Sequence, residues 1–134
     1  MEEYTLTYLG DLRVNARHER SGTEIITDTP VDHEGKGESF SPTDLLATSL
    51  GACMISVLGI MAKHNNIKID GLNAKVKKIM KSDPRRVGEI IVELNFPTNN
   101  YSEKDKIIIE RTLNSCPVLL SLNEGIIKTI KINY

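Results

Sequence analysis

The chain has no tryptophan and only 4% aromatic residues, so a core for 134 residues must be built mainly from Ile, Leu and Val. Neither sign of charge prevails. The formal net charge is −1, which removes the electrostatic case for nucleic acid or an anionic membrane surface as partner. No apolar signal region opens the sequence; Met1-Glu2-Glu3-Tyr4 is acidic, and a cytoplasmic location is expected. Cysteines number two, and in a reducing compartment a purely structural disulfide between them is unusual. There is no C-x-x-C, and His18, His33 and His64 have no ligand spacing, so no metal site is expected. A Ser-based nucleophile motif is missing, and Gly35 with Gly37 does not make a phosphate-cradling loop. No repeat, low-complexity tract or linker interrupts the chain, which reads as a single domain over residues 1–134.

What the chain does have is one long uncharged stretch, Leu45 to Ala62, centred on a cysteine, Cys53. Ser41 is a good N-cap before it, Pro42 suits the first helical position, and Asp44 falls at the third, approximating a capping box. Lys63-His64-Asn65-Asn66 closes it with basic side chains suited to the macrodipole and an Asn able to adopt a left-handed cap. The stretch is close to the length of a membrane span, but Thr48, Ser49, Gly51, Ser56 and Gly59 dilute it and no second span exists. A helix buried in protein on all sides is the expectation, with no membrane partner. That burial asks for more cover than one small domain gives, which points to a shared dimer core.

Around this helix the periodicities alternate. Period-two patterns over Tyr4–Leu9, Leu12–Arg17 and Glu24–Thr29, separated by Gly10-Asp11 and Ser21-Gly22, predict a three-stranded meander. A loop of about a dozen residues, Thr29 to Phe40, precedes the helix, a length often associated with function. Residues 71–80 and 89–96 alternate again around Asp83-Pro84-Arg85-Arg86 and predict a hairpin. Ser102 with Asp105 repeats the capping pattern ahead of a second helix over 107–115, which Pro117 cannot continue. A short helix over 117–122 and a closing strand over 126–132 follow. The order β-β-β-α-β-β-α-α-β defines an α+β domain.

The two thiols admit two readings. Free cysteines are among the most buried residues, and both can be inert. Against that, Cys53 has small neighbours (Ser49, Gly51, Ala52, Ser56) that let another element or a substrate approach. Cys116 stands at a helix N-terminus, where backbone N–H groups lower a thiol pKa. They therefore form a candidate attacking and resolving pair.

Ser41-Pro42-Thr43-Asp44-Leu45-Leu46 leading to Gly51-Ala52-Cys53, followed by Ser115-Cys116-Pro117-Val118, resembles the OsmC/Ohr-like thiol peroxidases, in the Ser-Pro-Thr-Asp OsmC-like branch. The resemblance extends over nearly the whole chain. It implies an intertwined α+β homodimer, with the Cys53 helices packed at its centre and sites formed by both subunits. It implies that Cys53 attacks a hydroperoxide and becomes a sulfenic acid, that Cys116 condenses with it, and that a dithiol, lipoyl-type in the best-known branch of the family, resets the pair. Neither metal, flavin nor haem is implied. An arginine from the N-terminal sheet completes such sites; Arg13 is the best positional match, with Arg17 and Arg20 as competitors. Thr43 stands where peroxidase branches carry the glutamate that pairs with this arginine, leaving the arginine without that carboxylate. Two rivals remain at the sequence level: a non-catalytic dimer that binds an apolar ligand or senses redox state, and an acyl-thioester enzyme of another α+β fold.

Overall fold

A computed structural model describes all 134 residues, which divide into two compact units, Met1–Leu46 and Ala47–Tyr134. In the first unit the alternating segments form strands β1 (Tyr4–Gly10), β2 (Arg13–His18) and β3 (Glu24–Asp28), an antiparallel meander in the order β1-β2-β3. Gly10, Asp11 and Leu12 all take positive φ, of 85°, 53° and 62°. This is why β2 starts at Arg13 and not at Leu12, as the alternation predicted: a left-handed leucine cannot be in a strand. The loop after β3 contains a single 3-10 turn, Val31–His33, that its composition did not announce.

Helix α1 (Pro42–Asn65) begins in the first unit and continues into the second. Its start is a capping box, with the Ser41 N–H donating to Asp44 Oδ2 at 2.9 Å and the Asp44 N–H to Ser41 Oγ at 3.0 Å. Its end is the expected left-handed cap at Asn66, φ 53°, with the Ile67 N–H returning to the Ala62 carbonyl at 3.1 Å. The helix is long and apolar enough to cross a membrane by length and composition, with a mean hydropathy of 2.1 over its best window and 39% of that window buried.

The second unit is built on a sheet in the order β4-β5-β6, from β4 (Asn73–Lys81), β5 (Arg86–Asn95) and β6 (Ile127–Asn133). β4 and β5 are the expected hairpin. β6 pairs with β5 in parallel, because the chain crosses over through α2 (Glu103–Leu113) and α3 (Pro117–Ser121) before returning. Central strand β5 buries Ile90, Val92 and Leu94 against Leu50, Met54 and Leu58 of α1 and Ile109 and Leu113 of α2. Leu, Ile, Val and Met carry this core, as the shortage of aromatics requires. At its edge, Phe96, Tyr101 and Tyr134 pack ring against ring at 5.2 to 5.9 Å.

The two units differ in what they bury. The only buried residues of the first unit are Thr27, Asp28 and Ser41, all polar, while Tyr4, Leu6, Tyr8 and Ile25 lie exposed on its sheet. A three-stranded sheet with no buried apolar residue has no core of its own.

Candidate functional site

Cys53 lies in the middle of α1, half-buried, at the margin of the core. The small residues around it have a visible purpose. At Gly51 a Cβ would lie 2.7 Å from Val76 Cγ2 of β4, so helix and sheet approach more closely there than alanine permits. Ser56 hides its hydroxyl by donating to the Ala52 carbonyl at 2.9 Å.

Cys116, from the break between α2 and α3, belongs to the core cluster against which Cys53 packs. The last turn of α2 ends with the Cys116 N–H donating to the Leu113 carbonyl at 3.3 Å, and Pro117, lacking an N–H, starts α3 at its first position. This break holds the Cys116 side chain in the core, fully buried. There Cys53, packed against the same cluster, is close enough to raise its pKa. The two free thiols predicted as a pair are therefore neighbours in the same core.

The sequence expectation for the Cys116 pKa is corrected. The N–H groups of Leu119 and Val118 do pull it down, as a helix start should, but burial first and the neighbouring Cys53 thiol second outweigh them and the thiol pKa is raised. Desolvation of a fully buried sulfur is a larger effect than two amide dipoles.

Of the three candidate arginines, only one has a buried partner. Arg17 pairs with Glu19 and Glu24 and Arg20 with Glu2, all on the surface, at 3.2 to 3.5 Å. Arg13 belongs to the first unit, where its Nε lies 3.7 Å from Oδ2 of Asp28, a fully buried carboxylate, and its Nη2 lies 3.3 Å from Oε2 of Glu38. Asp28 also accepts the Thr29 N–H at Oδ1, 3.1 Å, and the Glu38 N–H at Oδ2, 3.0 Å. Its own N–H donates to the Phe40 carbonyl at 2.9 Å. Thr43 offers the arginine no carboxylate, as expected, but Asp28 and Glu38 supply two others. Sequence reasoning missed both. The signal was available, since the turn at Ser21-Gly22 places Arg17 opposite Glu24 and, in the same register, Arg13 opposite Asp28.

No group of three or more His, Cys, Asp or Glu side chains is disposed to hold a metal ion.

A family model described as OsmC-like protein matches residues 35–131. Among solved structures, a protein of Psychrobacter arcticus 273-4 named for osmotic stress induction and detoxification response superposes with a TM-score of 0.94 at 46% identity, covering 99% of this chain and 96% of that one. An organic hydroperoxide resistance protein OsmC of Legionella pneumophila has a TM-score of 0.80 at 12% identity, with 100% and 97% covered. One from Elizabethkingia anophelis, likewise named for organic hydroperoxide resistance, has 0.72 at 18%, with 99% and 95% covered. At those identities the last two speak for the fold alone. Among curated proteins none matches significantly. The chain belongs to the OsmC-like family.

Proposed function

We propose that this protein is a cytoplasmic thiol peroxidase that reduces hydroperoxides through Cys53 and Cys116. The observation that carries the reading is that these two side chains, the only cysteines in the chain, are neighbours in one core: Cys53 packs against the cluster that contains the buried Cys116 and lies close enough to raise its pKa. The Cys53 thiolate attacks the distal oxygen of the hydroperoxide. The O–O bond breaks, the alcohol leaves with a proton, and Cys53 becomes a sulfenic acid. The Cys116 sulfur then attacks the Cys53 sulfur, a disulfide forms, and water departs. A dithiol, lipoyl-type in its simplest form, is oxidised to its own disulfide and returns both cysteines to thiols. Proximity of the thiols favours the second step, because disulfide geometry tolerates little stretch.

Arg13 is proposed to supply the cation that favours the Cys53 thiolate and polarises the peroxide. Its pairing with a buried carboxylate distinguishes it from Arg17 and Arg20. The functional unit is proposed to be a homodimer, in which the first unit, lacking an apolar core, is covered by a second copy.

Dihydrolipoamide-coupled reduction of cumene hydroperoxide tests the cycle. Cys53→Ser is expected to lower turnover by about a thousandfold or more, since the nucleophile is gone. Cys116→Ser is expected to stop disulfide formation while Cys53 sulfenic acid accumulates and is trapped by dimedone. Turnover surviving Cys53→Ser overturns the reading. A Cys53 that reacts slowly and never bonds Cys116 favours the non-catalytic redox-sensing or ligand-binding dimer.

A further inference from the structure

We infer that Asp28 is a positioning residue for peroxide reduction, acting through Arg13; the inference rests on the thiol peroxidase reading above. Arg13 and Asp28 are direct partners in the antiparallel pairing of β2 with β3, so their side chains leave the sheet on the same face. The carboxylate is fully buried, yet it is held in one orientation by two backbone donors, the N–H groups of Thr29 and Glu38. A surface carboxylate gains little from an arginine, because solvent screens the pair, and the partners of Arg17 and Arg20 are of this exposed kind. A buried one with its lone pairs already directed is different. It limits where the guanidinium can lie, because moving the cation away would leave a buried charge uncompensated.

Two further features act in the same direction. Glu38 contributes twice, its N–H to Asp28 and its carboxylate to Arg13, so the loop after β3 is fastened to the arginine through both. On the other side, Arg13 directly follows Asp11 and Leu12, both in the left-handed region, which fixes where β2 begins and hence where Arg13 leaves it. The Arg13 Nε is buried, has no hydrogen-bond acceptor and lies 3.7 Å from Asp28, an ion-pair distance longer than a hydrogen bond. Asp28 therefore orients the guanidinium without a hydrogen bond at Nε. Asp28 touches neither thiol nor substrate in this scheme; its effect on the reaction passes through the arginine.

The test is a double-mutant cycle on the full-length protein with cumene hydroperoxide and dihydrolipoamide, each varied so that its own kcat/KM is measured. Arg13→Ala and Asp28→Asn are each expected to lower kcat/KM for the hydroperoxide by about tenfold or more, since a mispositioned cation no longer stabilises developing charge. In the Arg13→Ala background, Asp28→Asn is expected to change it by less than about twofold, because the two act as one unit. The kcat/KM for dihydrolipoamide is expected to stay within about twofold of wild type, which a merely structural role would not allow. Loss in both half-reactions together, full additivity with Arg13→Ala, or an Asp28→Asn protein as active as wild type overturns the inference. If Arg13→Ala retains full activity while Cys53→Ser has none, the positioning role falls and the thiol cycle stands. If Cys53→Ser is active, the peroxidase reading itself fails. Should Asp28→Asn not fold, Asp28→Glu, which keeps the charge one methylene further out, takes its place in the same cycle under the same criteria.

Discussion

Cys116 is the residue at which burial and chemistry pull against each other. Its raised pKa keeps it a thiol near neutral pH, whereas its proposed part in the cycle requires attack as a thiolate. The sign follows directly. As pH rises towards and past the ordinary thiol range, more Cys116 ionises, and the step from sulfenic acid to disulfide accelerates. Stopped-flow measurement of that step after a single equivalent of hydroperoxide is expected to give a rate that keeps rising with pH above the range of a free cysteine; a plateau near neutrality would contradict the buried thiol. Tyr134 makes a separate prediction about stability. Burial first, and the neighbouring Glu110 carboxylate second, push its phenol from 10.0 up to about 12. The folded chain then keeps a proton that the unfolded chain loses. Stability is full below pH 10 and declines as pH rises towards 12. Tyr134→Phe is expected to flatten this decline in urea titrations across the alkaline range. Tyr101, also raised by burial, contributes in the same direction and leaves a residual slope.

At the scale of elements, the helix that carries Cys53 is the best test of how closely the parts fit. Gly51→Ala inserts a methyl where Val76 Cγ2 is 2.7 Å away, with no backbone strain to relieve because the residue is helical. Overpacking of this kind costs about 1 to 3 kcal/mol, and the mutant is expected to melt lower and to reduce hydroperoxide more slowly, since α1 must shift under Cys53. A variant with unchanged melting temperature and activity would mean that helix and strand are not in close contact there. This helix was also the most legible part of the sequence. Its cap at Ser41 and Asp44, its end at Asn66 and the small residues around Cys53 are local signals, and local signals survive in a one-dimensional reading. So did the capping box of α2, formed by Ser102 and Asp105. The illegible parts were non-local. That β6 runs parallel to β5 depends on the crossover, not on any residue in β6. That burial outweighs the pull of the helix-start N–H groups on Cys116 depends on the core that closes around it. Asp28 lay within the strand predicted over Glu24–Thr29 with nothing to single it out, and only register with Arg13 reveals its pairing.

For the whole molecule, the decisive fact is the contrast between the two units. Residues 1–46 contain ten Asp and Glu against four Lys and Arg, whereas residues 47–134 contain eight against thirteen. The first unit is thus acidic, with exposed Tyr4, Leu6 and Tyr8 and no buried apolar residue; the second is basic, with a core of its own but with Leu46 just before it and Ile60 within α1 left exposed. Opposite charge and unpaired apolar faces are what two copies exchanging their first units would need, each acidic sheet closing on the basic unit of the other. In such a dimer a peroxide site would take Cys53 and Cys116 from one chain and Arg13 from its partner. Mixed dimers distinguish this from sites made within one chain. Two differently tagged chains, one Cys53→Ser and one Arg13→Ala, are co-expressed and the heterodimer is isolated through both tags. If sites are shared, one of them combines the intact cysteines of the Arg13→Ala chain with the intact arginine of the Cys53→Ser chain, while the other is doubly broken. About half of wild-type activity per dimer is then expected, although each homodimeric variant is nearly inactive. If every site is built from one chain, both are broken and the heterodimer is as inactive as its parents. If such a dimer forms, it is expected to dissociate more readily at rising salt, because attraction between acidic and basic units would be screened.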